Sequence, residues 1–220
     1  MPPLRTATML ENARLFLDFL FFFYLAMWII FPAYLANAVA VPVTRHRKVH
    51  PIDFGKSLLG QRIFGDGKTF EGFFLASAIG CVGGIVQVLL SPLFLQPSLA
   101  WHDLYMSLIV PRGDIEQYVT ISIPAIVRAL VFPPGAMLGD LLGSFIKRRL
   151  RIPRGAPAPV LDQLDFIAGV ILFSMLFSWF GASFFQLDIK YMIIILVLTP
   201  FIHRIVNKLA YKLRVKDVPH

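Results

Sequence analysis

Long apolar runs restrict this chain to folds that lie within a lipid bilayer. A helix needs about 20 apolar residues to cross the hydrocarbon core, and such runs occupy residues 15–43, 73–95, 115–133, 166–185 and 191–206. Only 15% of the residues are charged, whereas a soluble domain carries about 25%. The sequence therefore predicts an all-α, polytopic integral membrane protein with five transmembrane helices in a single domain, residues 1–220.

A proline pair interrupts the third apolar run. Pro133-Pro134-Gly135 should break or kink the helix there, because proline lacks the N–H group and its ring clashes with the preceding turn. We expect residues 137–150 to continue as a helix at, or just inside, the cytoplasmic interface.

Lysine and arginine are concentrated in alternate connections. Residues 44–72, residues 147–165 and the C-terminal tail carry most of them, and short basic loops stay in the cytosol. The prediction is a multi-pass protein of the cell membrane with its N-terminus outside and its C-terminus inside. A net charge of +8 would suggest nucleic acid in a soluble protein. Here the charge follows the loops, so no nucleic-acid partner is expected.

Three aspartates stand out because they border or enter apolar segments. An ionised carboxylate costs about 2.5–3.5 kcal/mol in a membrane helix, so it persists where it pairs with a cation, holds a metal or lines a polar cavity. Asp162 and Asp165 share one helix face if the fourth helix includes both, and Lys147 follows Asp140 by two turns. Mg²⁺ prefers such oxygen ligands. The alternative is N-terminal capping by Asp162 and Asp165, which leaves Asp140 unexplained.

A glycine-rich block precedes the second apolar run. Gly65-Asp66-Gly67-Lys68-Thr69 resembles a phosphate loop, because glycines admit an anion to the backbone, Lys68 adds charge and Thr69 adds a hydroxyl. It is not a Walker A loop, since Arg62 takes the place of the first glycine. A helix after the block would favour a phosphate at its N-terminus. The alternative is a glycine turn with a capping Thr69 and interfacial lysines.

Other polar residues allow two interpretations. Asn37, near the end of the first run, makes either an interhelical hydrogen bond or a ligand contact. The cluster of Arg148, Arg149, Arg151 and Arg154 is interpreted as a topology signal and a headgroup contact rather than as catalytic.

Taken in order, several blocks resemble the archaeal CDP-archaeol synthases, relatives of the phosphatidate cytidylyltransferases. They are Leu35-Ala36-Asn37-Ala38, Pro51-Ile52-Asp53-Phe54-Gly55-Lys56, Gly65-Asp66-Gly67-Lys68-Thr69, the segment 139–149 and the segment 153–166. The phosphatidate enzymes carry a Lys-Asp and a His-Gly-Gly ahead of the final aspartates, where this chain has Arg154-Gly155-Ala156-Pro157-Ala158-Pro159. This departure favours the archaeal branch.

The resemblance implies a cytidylyl transfer from CTP to 2,3-bis-O-geranylgeranyl-sn-glycerol 1-phosphate, an isoprenoid ether lipid. It implies Mg²⁺ as cofactor, held by Asp140, Asp162 and Asp165, with Asp140, Lys147 and Lys68 as the catalytic residues. The CTP-binding residues implied are Asn37, Asp53, Lys56, Gly67, Lys68, Thr69 and Lys147. For Asp53 and Lys56, contact with CTP and bracing of the loop are both open.

Two other functions remain as alternatives. The same chemistry on an ester-linked phosphatidate would use a similar headgroup site. A small membrane transporter would place its charges along a pathway and would show broken helices in the two halves of a repeat, and the sequence has no clear repeat.

Overall fold

The computed structural model describes residues 3–44, 48–105, 121–153, 156, 158–179 and 189–212. These residues form five long helices and one small hairpin. The helices are α1 (Pro3–Val39), α2 (Phe70–Tyr105), α3 (Ile123–Arg149), α4 (Pro159–Trp179) and α5 (Ile189–Lys212). A 3-10 turn at Pro42–Thr44 follows α1, and an antiparallel hairpin joins β1 (Ser57–Leu58) to β2 (Gln61–Arg62). The predicted helical class is confirmed, whereas the hairpin was not predicted.

Three of the described helices contain segments long and apolar enough to cross a membrane. They are Leu15–Thr44, Phe70–Phe94 and Ile123–Arg149, and Tyr191–Ile202 is a shorter apolar helix. The third segment starts later than the predicted 115–133, because Ser122 caps α3 by accepting from the N–H of Ala125 at 3.3 Å. Residues 115–120 and 180–185, which belong to the predicted third and fourth spans, lie outside the described residues.

The proline pair does not interrupt α3. The helix continues from Ile123 to Arg149 with Pro133 and Pro134 inside it. Of the predicted break or kink, the break is therefore wrong, and the kink stays a prediction. Pro134 cannot donate to the carbonyl of Leu130, but the Cys81 thiol of α2 donates to that oxygen at 3.4 Å. Helix α2 thus supplies a donor in place of the missing N–H group of Pro134, as neighbouring helices do in other membrane proteins.

The main core lies between α1, α3, α4 and α5. Its fully buried side chains include Leu25 and Ile30 of α1, Phe132 of α3, Phe166 of α4 and Ile195 of α5. Small residues bring α3 and α4 into closer contact toward one end. A Cβ atom at Gly139 would overlap the carbonyl oxygen of Asp165, and one at Gly169 would overlap that of Gly135. This backbone-to-backbone crossing places Asp140 beside the first turns of α4.

Candidate active site

Two lysine–aspartate pairs meet where α3, α4 and the loop before α2 come together. The Nζ of Lys68 donates to Oδ2 of Asp140 at 2.5 Å, and the Nζ of Lys147 donates to Oδ1 of Asp162 at 2.6 Å. All four side chains are partly buried. The seven-residue spacing predicted that Asp140 and Lys147 face one cavity, and in the structure each takes its partner from another segment.

Asp165 lies deeper in the same cluster. Its side chain packs against Gly143 of α3, and its Oδ1 accepts the N–H of Phe166 at 2.7 Å. It is buried, and the charges of Asp140, Lys147 and Lys68 all act on it. The three predicted carboxylates and two predicted lysines therefore form one electrostatic cluster.

Asp162 satisfies both interpretations of the paired aspartates. Its Oδ2 accepts the N–H of Ala158 at 2.9 Å, at the start of α4, while its Oδ1 faces Lys147. Helix α4 begins at Pro159, so Asp162 and Asp165 lie on one helix face as expected for i,i+3 spacing. The capping interpretation is thus correct for one oxygen of Asp162, and it leaves the other oxygen for the site.

The glycine-rich loop ends in a helix cap, as the alternative interpretation of this block predicted. Thr69 precedes α2, and its Oγ1 accepts the N–H of Gly72 at 3.1 Å. The loop closes on itself through Lys68 N–H to Gly65 O at 3.1 Å, and Gly65 has a φ of +95° that favours glycine. The N–H of Ile52 donates to Lys68 O at 2.9 Å. These contacts hold the backbone of Lys68 while its side chain reaches α3.

Asp53 braces this loop from inside. Its carboxylate accepts five N–H groups, from Nε and Nη2 of Arg62 and from the backbone of Gly55, Phe64 and Gly65. Burial by itself would raise the pKa of this carboxyl, but Arg62 and the three backbone donors outweigh it and hold the pKa well below its usual range. Because the side chain is fully enclosed, the geometry supports bracing, and contact of Asp53 with CTP stays an unsupported prediction.

Arg149 was interpreted from sequence as part of a topology signal, but in the structure it contacts the hairpin. Its guanidinium donates to the carbonyl oxygens of Leu58 at 2.6 Å, Gln61 at 3.2 Å and Arg62 at 2.8 Å. It also lies over the Phe145 ring, 5.1 Å from its centroid. The end of α3 thereby holds the hairpin. An arginine among several basic residues gives no sequence signal of this kind, because its acceptors are backbone carbonyls about 90 residues away.

The other predicted binding residues lie around this cluster. Asn37 is half-buried in the last turn of α1, where its neighbour Ala36 packs with Ala76 of α2 and Met137 of α3. Gly67 and Lys56 are exposed on the loop. Arg154 lies outside the described residues. The structure thus brings Asn37 to the same end of the helices as Lys68, and leaves Lys56 facing outward.

The carboxylates suit Mg²⁺ in kind. Asp140, Asp162 and Asp165 offer oxygen ligands, and Mg²⁺ takes only one or two carboxylates when substrate phosphates supply the rest. Within the described residues, no group of three or more His, Cys, Asp or Glu side chains is close enough to hold a metal ion. Asp140 and Asp162 are each neutralised by a lysine instead. The donors fit the ion, but a complete three-carboxylate site is not preformed.

Buried and half-buried charges lie at one end of several apolar helices, and comparison with known proteins identifies the class as an intramembrane enzyme. A solved structure described as an intramembrane enzyme for archaeal membrane lipids biosynthesis is similar, with a TM-score of 0.59 and 31% identity over 83% of this chain and 92% of that one. The family model described as CarS-like, CDP-archaeol synthase, matches residues 16–220.

Curated relatives agree with this match. The CDP-archaeol synthase of Pyrobaculum islandicum is 38% identical over 91% of this chain and 98% of its own length. That of Pyrobaculum calidifontis is 40% identical over 87% and 94%, and that of Methanocaldococcus jannaschii is 36% identical over 88% and 94%. The chain belongs to the CDP-archaeol synthase family, and it is a multi-pass membrane enzyme of the nucleotidyltransferase class.

Proposed function

We propose that this enzyme transfers CMP from CTP to the phosphate of 2,3-bis-O-geranylgeranyl-sn-glycerol 1-phosphate, giving CDP-archaeol and pyrophosphate. The observation that carries the proposal is the pair of lysine–aspartate contacts, Lys68–Asp140 and Lys147–Asp162, at one helix crossing. Both substrates are polyanions. A site for them needs cations that are positioned yet able to exchange a carboxylate partner for a phosphate.

The reaction needs little covalent chemistry from the protein. An oxygen of the lipid phosphate attacks the α-phosphorus of CTP, and the bond from that phosphorus to the oxygen bridging the α- and β-phosphates breaks. The lipid phosphate is already ionised, so no general base is required, and the work is positioning and charge stabilisation. Lys68 and Lys147 neutralise the triphosphate and the pyrophosphate leaving group.

The remaining groups orient the nucleotide. The Thr69 hydroxyl uses a lone pair to accept from Gly72, so its own hydrogen is free to donate to a phosphate oxygen. Gly67 and Asn37 line the approach to Lys68 in this proposal. Asp140, Asp162 and Asp165 are the residues that would hold Mg²⁺, which would supply further charge neutralisation for the phosphates.

The topology that goes with this function has five spans, with the N-terminus outside and the C-terminus inside the cell membrane. The segment before α2, the end of α3 and the start of α4 carry the site together with many of the basic residues. Because basic loops remain cytosolic, the site faces the cytosol, where CTP is present.

Incorporation of labelled CTP into lipid, by the full chain reconstituted in vesicles, tests the proposal. Asp140→Asn and Asp162→Asn should each lower the rate by about 10²–10³-fold. Glu11→Gln, which removes an exposed carboxylate of α1, is the matched control and should retain full activity. Normal turnover in the two site variants would contradict the assignment of these carboxylates.

Two further measurements test the substrates. CTP with Mg²⁺ should raise the melting temperature of the detergent-solubilised enzyme, because it binds only the folded state. ATP or GTP with Mg²⁺ should not raise it, and neither should CTP in the presence of a chelator. Parallel assays with ether-linked and ester-linked acceptors identify the lipid class. A higher rate with the ester substrate would favour a phosphatidate cytidylyltransferase.

A further inference from the structure

The segment that joins α1 to α2 is described over residues 48–69 and is called the first loop here. Two of its turns hold bulky apolar residues in a left-handed backbone conformation. Phe54 and Gly55 have φ values of +49° and +79°, and Leu59 and Gly60 have +53° and +76°. The first turn is closed by Lys56 N–H to Asp53 O at 2.7 Å, and the second joins β1 to β2. Turns with two positive φ values favour Asn-Gly or Gly-Gly. Phe54 and Leu59 are strained in this conformation, so a favourable interaction of their side chains must offset the cost of the strain.

That compensation does not come from burial among the residues that the structure describes. Phe54 is 72% exposed and Leu59 is 85% exposed, and the neighbouring Leu58 is 46% exposed. If these side chains faced water, both the backbone strain and the exposed apolar area would be unfavourable. Two occurrences of the same arrangement, five residues apart in a loop of a membrane protein, indicate an external apolar partner.

The lipid-facing surface of α2 continues into the first turn. Phe74 is 64% exposed on a helix apolar enough to cross the membrane, and Phe70 lies one helical turn before it. The Phe54 ring packs against the Phe70 ring with centroids 5.4 Å apart. Phe54 therefore extends the lipid-facing side of α2 beyond the start of the helix.

The lipid-facing surface of α3 continues toward the hairpin. Leu142, Ile146 and Leu150 are spaced four residues apart, so they share one helix face, and all three are exposed. Arg149, beside Leu150, donates to the carbonyl oxygen of Leu58. The hairpin is thus fixed at the level where this apolar row ends.

We propose that the first loop is a membrane-docking element. Phe54, Leu58 and Leu59 enter the boundary between headgroups and chains of the surrounding bilayer, and the exposed Lys56 lies at the level of the lipid phosphates. Aromatic and apolar side chains flanked by lysine are typical of that boundary. The partner is bilayer lipid rather than a second chain, because the loop continues two surfaces that already face lipid. The docking fixes the height of the loop that carries Lys68.

Site-directed spin labelling measures this depth. Single cysteines at positions 54, 59 and 66 are introduced into full-length protein carrying Cys81→Ser, in which serine preserves the donor to Leu130. After labelling and reconstitution into phosphatidylcholine–phosphatidylglycerol vesicles, nitroxides at 54 and 59 should collide more with oxygen than with a water-soluble nickel chelate. The nitroxide at the exposed Asp66 is the control and should show the reverse. Equal nickel accessibility at 59 and 66 would overturn the proposal.

The same samples distinguish contact with lipid from contact with a second copy of the chain. If the loop docks onto a second copy, spectra of the label at 59 will show dipolar broadening that disappears on dilution with unlabelled protein. That result would also overturn the proposal, whereas sharp spectra at every dilution agree with lipid contact.

Leu59→Asn separates docking from folding. Asparagine tolerates the left-handed turn better than leucine, so the melting temperature in detergent should stay unchanged or rise. A nitroxide at position 57 should nevertheless shift toward water in this variant, and further in Phe54→Asn with Leu59→Asn. An unchanged depth at position 57 in the double variant would contradict the docking role.

Discussion

Lys68 and Asp140 form a 2.5 Å ion pair that joins the loop before α2 to α3 across 72 residues of sequence. The pair is partly buried, so its two charges interact more strongly than an exposed pair would. Any anionic substrate that takes Lys68 must compete with Asp140 for it. The ion pair therefore links the structure of the loop directly to the proposed chemistry.

The first prediction is that Lys68 and Asp140 are energetically coupled. Lys68→Met leaves Asp140 without its cation, and Asp140→Asn leaves Lys68 without its anion. Each single variant should lower thermal stability, and the double variant should lose less than the sum, with a coupling of about 0.5–3 kcal/mol. Denaturation of the four proteins in detergent measures this. Additive losses would show that the pair contributes nothing to the fold.

The same variants separate stability from catalysis. The double variant should be more stable than additive losses predict, but it should not regain turnover, because it still lacks the cation that neutralises the triphosphate. A double variant with near-normal incorporation of CTP into lipid would exclude Lys68 from the reaction.

The second prediction concerns Arg149, which holds the hairpin through three carbonyl oxygens. Arg149→Gln should loosen the loop that carries Lys68 and lower kcat/KM for CTP by between ~10- and ~10²-fold, because small displacements at a reacting site have large effects. Arg149→Lys should rescue only part of this, since an ammonium group cannot reproduce the planar fork. The KM for the lipid acceptor should change less than the KM for CTP.

Arg151→Asn is the matched control for Arg149. Arg151 is exposed, two residues further on, with a φ of +57° that asparagine tolerates. The Arg151→Asn variant loses one positive charge from the same basic cluster but keeps the contacts of Arg149 with the hairpin. Its kinetics should therefore remain close to those of the parent enzyme. An equal loss in both variants would show that the cluster acts only through its total charge.

The features that could be predicted from sequence are those that local physics determines. Apolar length indicated the helices, and the i,i+3 spacing placed Asp162 and Asp165 on one face of α4. The Thr69 cap followed from its position before an apolar run. Each of these features depends on neighbours within a few residues, so the local sequence is enough to predict it.

The features that could not be predicted depend on contacts between distant segments. Helical spacing suggested that Asp140 and Lys147 share a cavity, but it could not show that Lys68 and Asp162 are their partners. Local rules predicted a break or a kink at Pro133-Pro134, yet α3 continues without a break, and the thiol of Cys81 in α2 donates to the carbonyl of Leu130. The bracing of the loop by Asp53 likewise depends on Arg62, whose approach requires the unpredicted hairpin.

The third prediction is that Gly143 sets the position of Asp165. A Cβ atom at Gly143 would lie 2.5 Å from the Asp165 Cβ and 2.9 Å from its Cγ, so Gly143→Ala must displace α4. The expected destabilisation is about 1–3 kcal/mol, seen as a lower melting temperature in detergent, with a loss of activity at temperatures where the variant is still folded. Ala168→Val adds volume to an exposed position of α4 and should change neither quantity.

The fourth prediction is a pH dependence of the loop. The pKa of Asp53 in the folded protein lies below its unfolded value of about 3.9. The stabilisation by its carboxylate is therefore fully present above that value, and it is lost as the pH falls through the folded pKa. Hydrogen exchange of the amides of Gly55, Phe64 and Gly65 should show protection that persists from neutral pH to below pH ~4.

Asp53→Asn should remove the protection of Phe64 and Gly65 at every pH, because both donate to Oδ2, whereas Gly55 donates to Oδ1 and keeps its acceptor. The amide NH₂ group cannot accept from the backbone donors that the lost oxygen served, and the cost should be about 1–3 kcal/mol. Exchange of amides in the core of α3 is the internal reference, since it should not change. Protection of Phe64 and Gly65 in Asp53→Asn equal to that of the parent would show that the loop does not depend on the Asp53 carboxylate, and that contacts such as those of Arg149 with the hairpin hold it instead.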